Sequence, residues 1–181
     1  MSNAGRWARW YDKVRKPAPY GDETTYALAA TWLGSCSTVQ DWGCGKGWFA
    51  HRHLPRAVGV DGTRSPYSDI VADLVDFRAD PQVDGILLRH VLEHDPDWDQ
   101  ILDNAIASAR RRLFIAVFTP EAEGDKAEQI GWTATLRVPD LALPWDAISE
   151  RLEAAGFEIS TWDHATKTQY GAERVWEAHR R

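Results

Sequence analysis

Thr38-Val39-Gln40-Asp41-Trp42-Gly43-Cys44-Gly45-Lys46-Gly47, followed by Val58-Gly59-Val60-Asp61, is the stretch that decides the fold. It describes a short strand, a glycine turn, a helix start, and a second strand ending on a carboxylate. Glycines at 43 and 45 permit positive φ in a tight turn and remove Cβ atoms that would hold a ligand off the backbone. Asp61 falls at the carboxyl end of the second strand, where a carboxylate accepts hydrogen bonds from the vicinal hydroxyls of a ribose. The combination implies an adenosine-containing ligand.

Details of the turn narrow the choice. A dinucleotide fingerprint G-x-G-x-x-G counted from Gly43 puts its third glycine at position 48, which is Trp48, a side chain too large for close helix–strand packing. A phosphate loop needs Lys followed by Ser or Thr, whereas Lys46 is followed by Gly47. Asp41 would repel a pyrophosphate at short range. The same carboxylate suits a ligand with an ammonium group, such as the methionine end of S-adenosylmethionine.

With these residues in view, the chain resembles the class I S-adenosylmethionine-dependent methyltransferases. Asp41 to Gly47 is similar to their first motif, Val58 to Asp61 to the second, and Asp73-Leu74 to the acidic-apolar pair that ends the third strand and meets the adenine. Asp84 to His94, with its His90-Val91-Leu92-Glu93-His94 turn, resembles the fourth-strand motif of small-molecule members. Leu113 to Phe118 and Leu152 to Phe157 look like the fifth strand and the last helix. The resemblance implies a Rossmann-like α/β fold: a mostly parallel seven-stranded sheet with a C-terminal antiparallel hairpin and helices on both faces. It assigns the donor to Asp41, Trp42, Gly43, Cys44, Gly45, Asp61, Gly62, Asp73, Leu74, Arg89 and His90. His90 then has two readings: a base that takes a proton from a hydroxyl or ammonium acceptor, or a side chain that only hydrogen-bonds donor or backbone.

The 181 residues make one domain, with residues 1–34 as a helical lid segment, 38–118 as the donor-binding core, 119–143 as an acceptor-side insertion, and 144–181 as the last helix and closing hairpin. Trp7, Trp10, Tyr11 and Val14 recur at helical spacing. A second helix is expected from about Asp22 to Leu33, stopping at Gly34. Strands are expected at 38–42, 57–61, 69–72, 85–89 and 112–118. A helix carrying Trp98, Ile101, Leu102, Ala105 and Ala109 precedes the fifth, another follows Pro144, and 157–163 pairs with 174–179. Only seven residues separate Asp61 from Asp69, too few for an ordinary parallel crossover, so either that helix is reduced to a turn or the third strand lies elsewhere.

Two cysteines, Cys36 and Cys44, make no disulfide framework, and the reading is a reducing cytoplasm with no signal peptide and no membrane-spanning run. Net charge of −6 gives no general attraction to a polyanion. Basic residues cluster at Arg6, Arg9, Lys13, Arg15 and Lys16, read as a solvated helix face, and at Arg110 to Arg112, read as cations in the last turn of a helix. His90 to His94 also matches the H-x-x-E-H zinc pattern, but Asp95-Pro96 leaves only about one turn, so no metal is expected. A small-molecule acceptor, O- or N-methylated, is favoured. Nucleic acid comes second, because Arg89 to Pro96 departs from the Asn/Asp-Pro-Pro-aromatic run of amino-methylating DNA enzymes. A nicotinamide-dependent oxidoreductase and a non-catalytic donor-binding relative are the remaining readings. Trp42, Trp48 and Trp132 are candidates to stack a planar acceptor.

Overall fold

In the computed structural model, residues 7, 8, 10, 11, 16–133 and 137–180 are described. Val14, Thr135 and the basic residues Arg6, Arg9, Lys13 and Arg15 lie outside them. After a helical stretch containing Trp7, Ala8, Trp10 and Tyr11, the chain forms α1 (Thr24–Leu33), β1 (Val39–Trp42), β2 (Val58–Asp61), β3 (Ile70–Val71) and β4 (Val83–Arg89). It continues with α2 (Trp98–Ser108), β5 (Ala109–Val117), β6 (Glu128–Trp132), β7 (Pro139–Ala142), α3 (Trp145–Ala154), β8 (Glu158–Ala165) and β9 (Ala172–His179).

Seven strands form one sheet in the order β3-β2-β1-β4-β5-β9-β8. β1 to β5 are parallel, and β9 runs antiparallel to both β5 and β8. The chain steps outward from β1 to β3 and then returns to β4 on the other side of β1. A crevice therefore opens at the carboxyl ends of β1 and β4, where the strand order reverses.

Side-chain alternation splits the core between the two faces. Ile86 and Leu88 of β4 join Leu113 and Ile115 of β5 against Leu102 of α2 and Leu152 of α3. Leu87 and Phe114, one residue out of phase, pack with Leu33 of α1, Val39 and Val175. Covered on both sides, β4 and β5 carry continuous apolar runs at 85–88 and 113–117, as parallel strands do, whereas β1 buries Gln40 and Asp41 between its apolar ends. Edge strand β8 alternates half-buried and exposed residues.

The short crossover to β3 is resolved as a turn. Asp69 N donates to Gly59 O at 2.9 Å, Gly59 N donates to Asp69 Oδ2 at 2.7 Å, and Ala72 N donates to Asp61 O at 3.0 Å. The helix expected after the glycine turn is corrected to a single π-type turn, Phe49–His53; Leu54 leaves the helical region because Pro55 follows it. The helix-end reading of Arg110 to Arg112 is also corrected. Ala109 is already extended, with φ −85 and ψ 121, and the three arginines belong to β5. Arg110 donates to Gln82 O at 2.8 Å, and the Arg112 guanidinium lies 4.9 Å from the Trp32 ring centre. Residues 119–143 carry the antiparallel pair β6–β7, with Trp132 opposite Pro139. Both cysteines are free and buried. Among the described residues no helix is long and apolar enough to cross a membrane.

Candidate active site

β1 ends on Trp42 and the chain turns at once. Gly43 N and Cys44 N both donate to Val60 O, at 2.7 and 3.2 Å, which ties the turn to β2. Gly43 has φ 72 and Gly45 φ 52. A Cβ on Gly43 would fall 2.5 Å from Val91 Cγ2, and one on Gly45 2.9 Å from Tyr20 Cε2. Neighbouring protein atoms thus demand these glycines, whatever a ligand adds. Asp61 braces the turn from β2: its Oδ2 accepts from Gly45 N at 3.0 Å and its Oδ1 from Thr63 N at 2.9 Å. Each oxygen keeps a further acceptor site. Burial raises this carboxyl, and the two backbone N–H groups oppose the rise.

Asp41, two residues before the turn, is in the opposite situation. It is 5 % exposed, yet its carboxylate has no side-chain hydrogen bond or ion pair among the described residues. Burial, then the charge of Asp61, pushes it up to about 8, against the pull of Arg89. A buried carboxyl without a partner is costly when ionised. Its surroundings favour an incoming cation.

Both aspartates line a cavity of about 720 Å³, within the size range of small-molecule sites. The strand ends also contribute Gly43, Cys44, Gly62, Arg89 and His90, and the segment after β3 contributes Asp73 and Leu74. The N-terminal segment adds Trp7, Trp10, Tyr11 and Tyr20, and the stretch beyond β5 adds Phe118, Trp132, Thr133 and Pro139. Lys46 Nζ stands 4.2 Å from the Tyr20 ring centre, holding that ring beside the turn. Asp73 is exposed, its Oδ1 accepting from Val75 N at 3.1 Å. Leu74 is buried.

Arg89 ends β4 with its donors engaged by protein groups. It donates to Thr25 Oγ1 at 2.7 Å, Tyr20 O at 2.9 Å, Asp22 O at 2.9 Å and Glu173 Oε1 at 2.7 Å, and its guanidinium lies 4.1 Å from the Tyr26 ring centre. His90 follows with φ 57. Its Nδ1 is 3.4 Å from Arg89 Nη1 and its Nε2 is 2.9 Å from Glu173 Oε1, off the line of a good hydrogen bond. Burial and the neighbouring Arg89 charge bring this imidazole down to about 4, against Glu173. Both ring nitrogens therefore face protein groups, and the ring is neutral at pH 7. The positive φ also breaks the helical continuity that an H-x-x-E-H metal site needs. Among the described residues no cluster of three or more metal-ligating side chains occurs.

Leu92–His94 forms a single 3₁₀ turn. Glu93 is wholly buried; its Oε1 accepts from Phe118 N at 3.0 Å and its Oε2 has no hydrogen-bond partner among the described residues. Burial pushes this carboxyl up to about 8, so it is mainly protonated at pH 7. His94 lines the cavity. Its Nδ1 lies 3.0 Å from Pro139 O and 3.4 Å from Asp140 Oδ1 on β7, and Tyr170 O–H donates to Asp140 Oδ2 at 3.4 Å.

Two of the expected residues lie away from the cavity. Trp42 is corrected to a core position: it is 0 % exposed, donates to Gln40 Oε1 at 2.8 Å and packs edge-on against Phe77. Trp48 packs against His51 and His53. Trp132, 52 % exposed, does line the cavity. Sequence reading missed Glu173, Asp140, Phe118 and the tyrosines Tyr11 and Tyr20. Only the tyrosines left a signal, the aromatic residues recurring through the first twenty positions.

The sequence matches a family model described as a methyltransferase domain over residues 8–161. The chain belongs to the methyltransferase-domain family. Among solved structures, this methyltransferase is similar to Burkholderia thailandensis 1,6-didemethyltoxoflavin-N1-methyltransferase with bound 1,6-didemethyltoxoflavin and S-adenosylhomocysteine. There the TM-score is 0.66 at 21 % identity, over 88 % of this chain and 79 % of that one. Magnesium protoporphyrin IX methyltransferase from Synechocystis PCC 6803 with bound S-adenosylhomocysteine gives 0.65 at 20 %, over 98 % and 94 %. The N-methyltransferase NodS from Bradyrhizobium japonicum WM9, in complex with S-adenosyl-l-homocysteine, gives 0.63 at 13 %, over 97 % and 98 %. At these identities the likeness is one of fold. Curated protein sequences give no match.

Proposed function

We propose that this methyltransferase uses S-adenosylmethionine to methylate an oxygen or nitrogen of a small-molecule acceptor by in-line displacement. The observation that carries the donor is Asp41: a buried carboxyl on the cavity wall without a hydrogen-bond partner among the described residues, suited to the ammonium of a methionine moiety. Asp61 supports the same reading, because its two oxygens retain acceptor capacity for a ribose. Asp73 and Leu74 would hold the adenine edge, and Gly43 to Gly45 the ribose and methionine part. Once bound, the donor supplies an electrophilic methyl group on a sulfonium. The remaining work of the chain is to position an acceptor on that axis and exclude water. Tyr11, Tyr20 and Trp10 of the N-terminal segment are suited to shielding the donor.

A nucleic-acid acceptor is opposed by the charge of the cavity. Asp61, Asp73, Asp95 and Asp97 line it, and its one lysine or arginine among the described residues, Arg89, is already paired with Glu173 at 2.7 Å. Isothermal titration with S-adenosylmethionine, S-adenosylhomocysteine and NAD tests the donor reading: the first two should bind and NAD should not. Replacing Asp61 by Ala should weaken donor binding by an order of magnitude or more, about 1.4 kcal/mol per tenfold. Unchanged affinity in that variant would falsify the donor assignment. Release of S-adenosylhomocysteine with a panel of acceptors separates an enzyme from a non-catalytic relative.

A further inference from the structure

We propose that Trp10, Tyr11 and Tyr20, backed by Lys46, form a subsite for the carboxylate of the donor's amino acid, so that this methyltransferase selects donors with an intact zwitterionic end. The inference rests on the donor reading above and deepens it.

An α-amino acid brings an ammonium and a carboxylate, and each needs a partner when taken out of water. Asp41 suits the first. For the second, the glycine turn has little to offer. Gly43 N and Cys44 N donate to Val60 O, Gly45 N donates to Asp61 Oδ2, and Gly47 N donates to Cys44 O. Arg89, the charged donor on the wall, is engaged by Glu173, Thr25 Oγ1 and the carbonyls of Tyr20 and Asp22.

Donors remain on the N-terminal segment, whose Trp10, Tyr11 and Tyr20 all line the cavity. The two tyrosines stand against the turn: a Cβ on Gly45 would fall 3.0 Å from Tyr11 Oη and 2.9 Å from Tyr20 Cε2. Tyr20 O–H donates to Tyr11 Oη at 3.4 Å. Two phenols carry two hydrogens and share one bond, so one O–H is left without an acceptor among the described residues. Tyr11 is 5 % exposed, and a buried donor left in this way is unfavourable until an acceptor meets it. Burial and the charge of Asp61 raise the Tyr11 phenol, and burial pushes Tyr20 up to about 12. Both therefore keep their protons at pH 7 and act as donors. The Trp10 indole N–H is a second orphan, buried and without a hydrogen-bond partner among the described residues.

Lys46 supplies the charge. Its Nζ lies 4.2 Å from the Tyr20 ring centre and 5.6 Å from the Trp10 ring centre, and it makes no ion pair with a carboxylate among the described residues. It is not on the cavity wall, so it acts through the two rings and is a positioning residue. A wall with Asp41 on one element and these donors on another offers both halves of a zwitterion. A ribose hydroxyl could take the same phenol hydrogen, so the test needs two ligands that share the ribose.

Calorimetry on the full chain supplies it, with S-adenosylhomocysteine and S-adenosyl-3-thiopropylamine, which keeps the adenosine and the ammonium and lacks the carboxylate. The wild-type protein should bind the first about tenfold or more tighter. Tyr11→Phe alone frees Tyr20 O–H to serve in its place, so the informative variant joins Tyr11→Phe to Tyr20→Phe and keeps both rings. It should lose about tenfold in affinity for S-adenosylhomocysteine and little for the propylamine. Lys46→Met should narrow the preference between the two ligands by about threefold. Equal affinities in the wild-type protein, which need no variant to measure, overturn the subsite. So does a double variant of wild-type urea midpoint that loses equally for both ligands or for neither. A preference unmoved in Lys46→Met removes Lys46 from it. Failure of the wild-type protein to bind either ligand would instead remove the donor reading beneath it.

Discussion

Asp41 responds to what is placed beside it. Burial and the charge of Asp61 hold its carboxyl up to about 8, so at pH 7 it carries a proton. An ammonium group alongside favours the ionised form. Donor binding at pH 7 should therefore release on the order of one proton, and affinity should rise from pH 6 to 8. Calorimetric enthalpies measured in buffers of different ionisation enthalpy will show the release, and Asp41→Asn should remove it; enthalpies independent of buffer would contradict the pairing. Gly43 poses a backbone question at the same scale. With φ 72 and a Cβ position 2.5 Å from Val91 Cγ2, Gly43→Ala should cost more than the about 1–2 kcal/mol of a left-handed alanine and weaken donor binding. Gly156→Ala, at φ 82 with open space around it, should show only the backbone cost in chemical denaturation.

At the scale of elements, the end of β4 is a latch. Arg89 joins β4 to β9 through Glu173 and to the segment entering α1 through Tyr20 O, Asp22 O and Thr25. Both charged side chains are almost wholly buried. Removing one partner leaves the other charge uncompensated, so Glu173→Ala should destabilise the protein by about 3–5 kcal/mol, read as a lower urea midpoint; a loss below about 1 kcal/mol would mean the pair is solvated. This latch also marks the boundary of what sequence reveals. β4 and β5 are legible because strands covered on both faces carry unbroken apolar runs, here 85–88 and 113–117. The turn at Gly43 and the carboxylate at Asp61 are legible because their chemistry is local. Glu173 is not, since its burial depends on an arginine 84 residues away. β6 is not either: Glu128–Trp132 is mostly exposed and lacks the alternation of a half-buried strand. Asp140 acquires meaning only when β7 brings it to His94, and nothing local in either segment foretells that contact. The extent of the third strand followed the opposite logic: a seven-residue link admits no helix, and the strand shrank to two residues at the sheet edge.

For the whole molecule, buried acids near the cavity tie stability to pH. Asp41 and Glu93 have folded pKa values of about 8, raised by burial from 3.8 and 4.5. Their contribution is fully present below those unfolded values and is lost as pH rises through 8, because the unfolded chain ionises freely while the fold must keep a proton or bury a charge. His90 acts in the other direction. Its pKa falls from 6.5 to about 4 in the fold, so it penalises the native state only below about pH 6.5 and is silent above. Between pH 6.5 and 8 the two carboxyls thus act without opposition from that histidine, each with a slope of at most about 1.4 kcal/mol per pH unit. The melting temperature of the ligand-free protein should fall across this window. Glu93→Gln, which keeps the shape and removes the titration, should flatten part of the fall. S-adenosylhomocysteine should flatten another part, because its ammonium partners Asp41 and lowers that carboxyl toward its unfolded value. A melting temperature constant or rising from pH 6.5 to 8 in the ligand-free protein would show that water reaches both carboxyls, and the orphaned acid beside the glycine turn would lose its claim to be waiting for a cation.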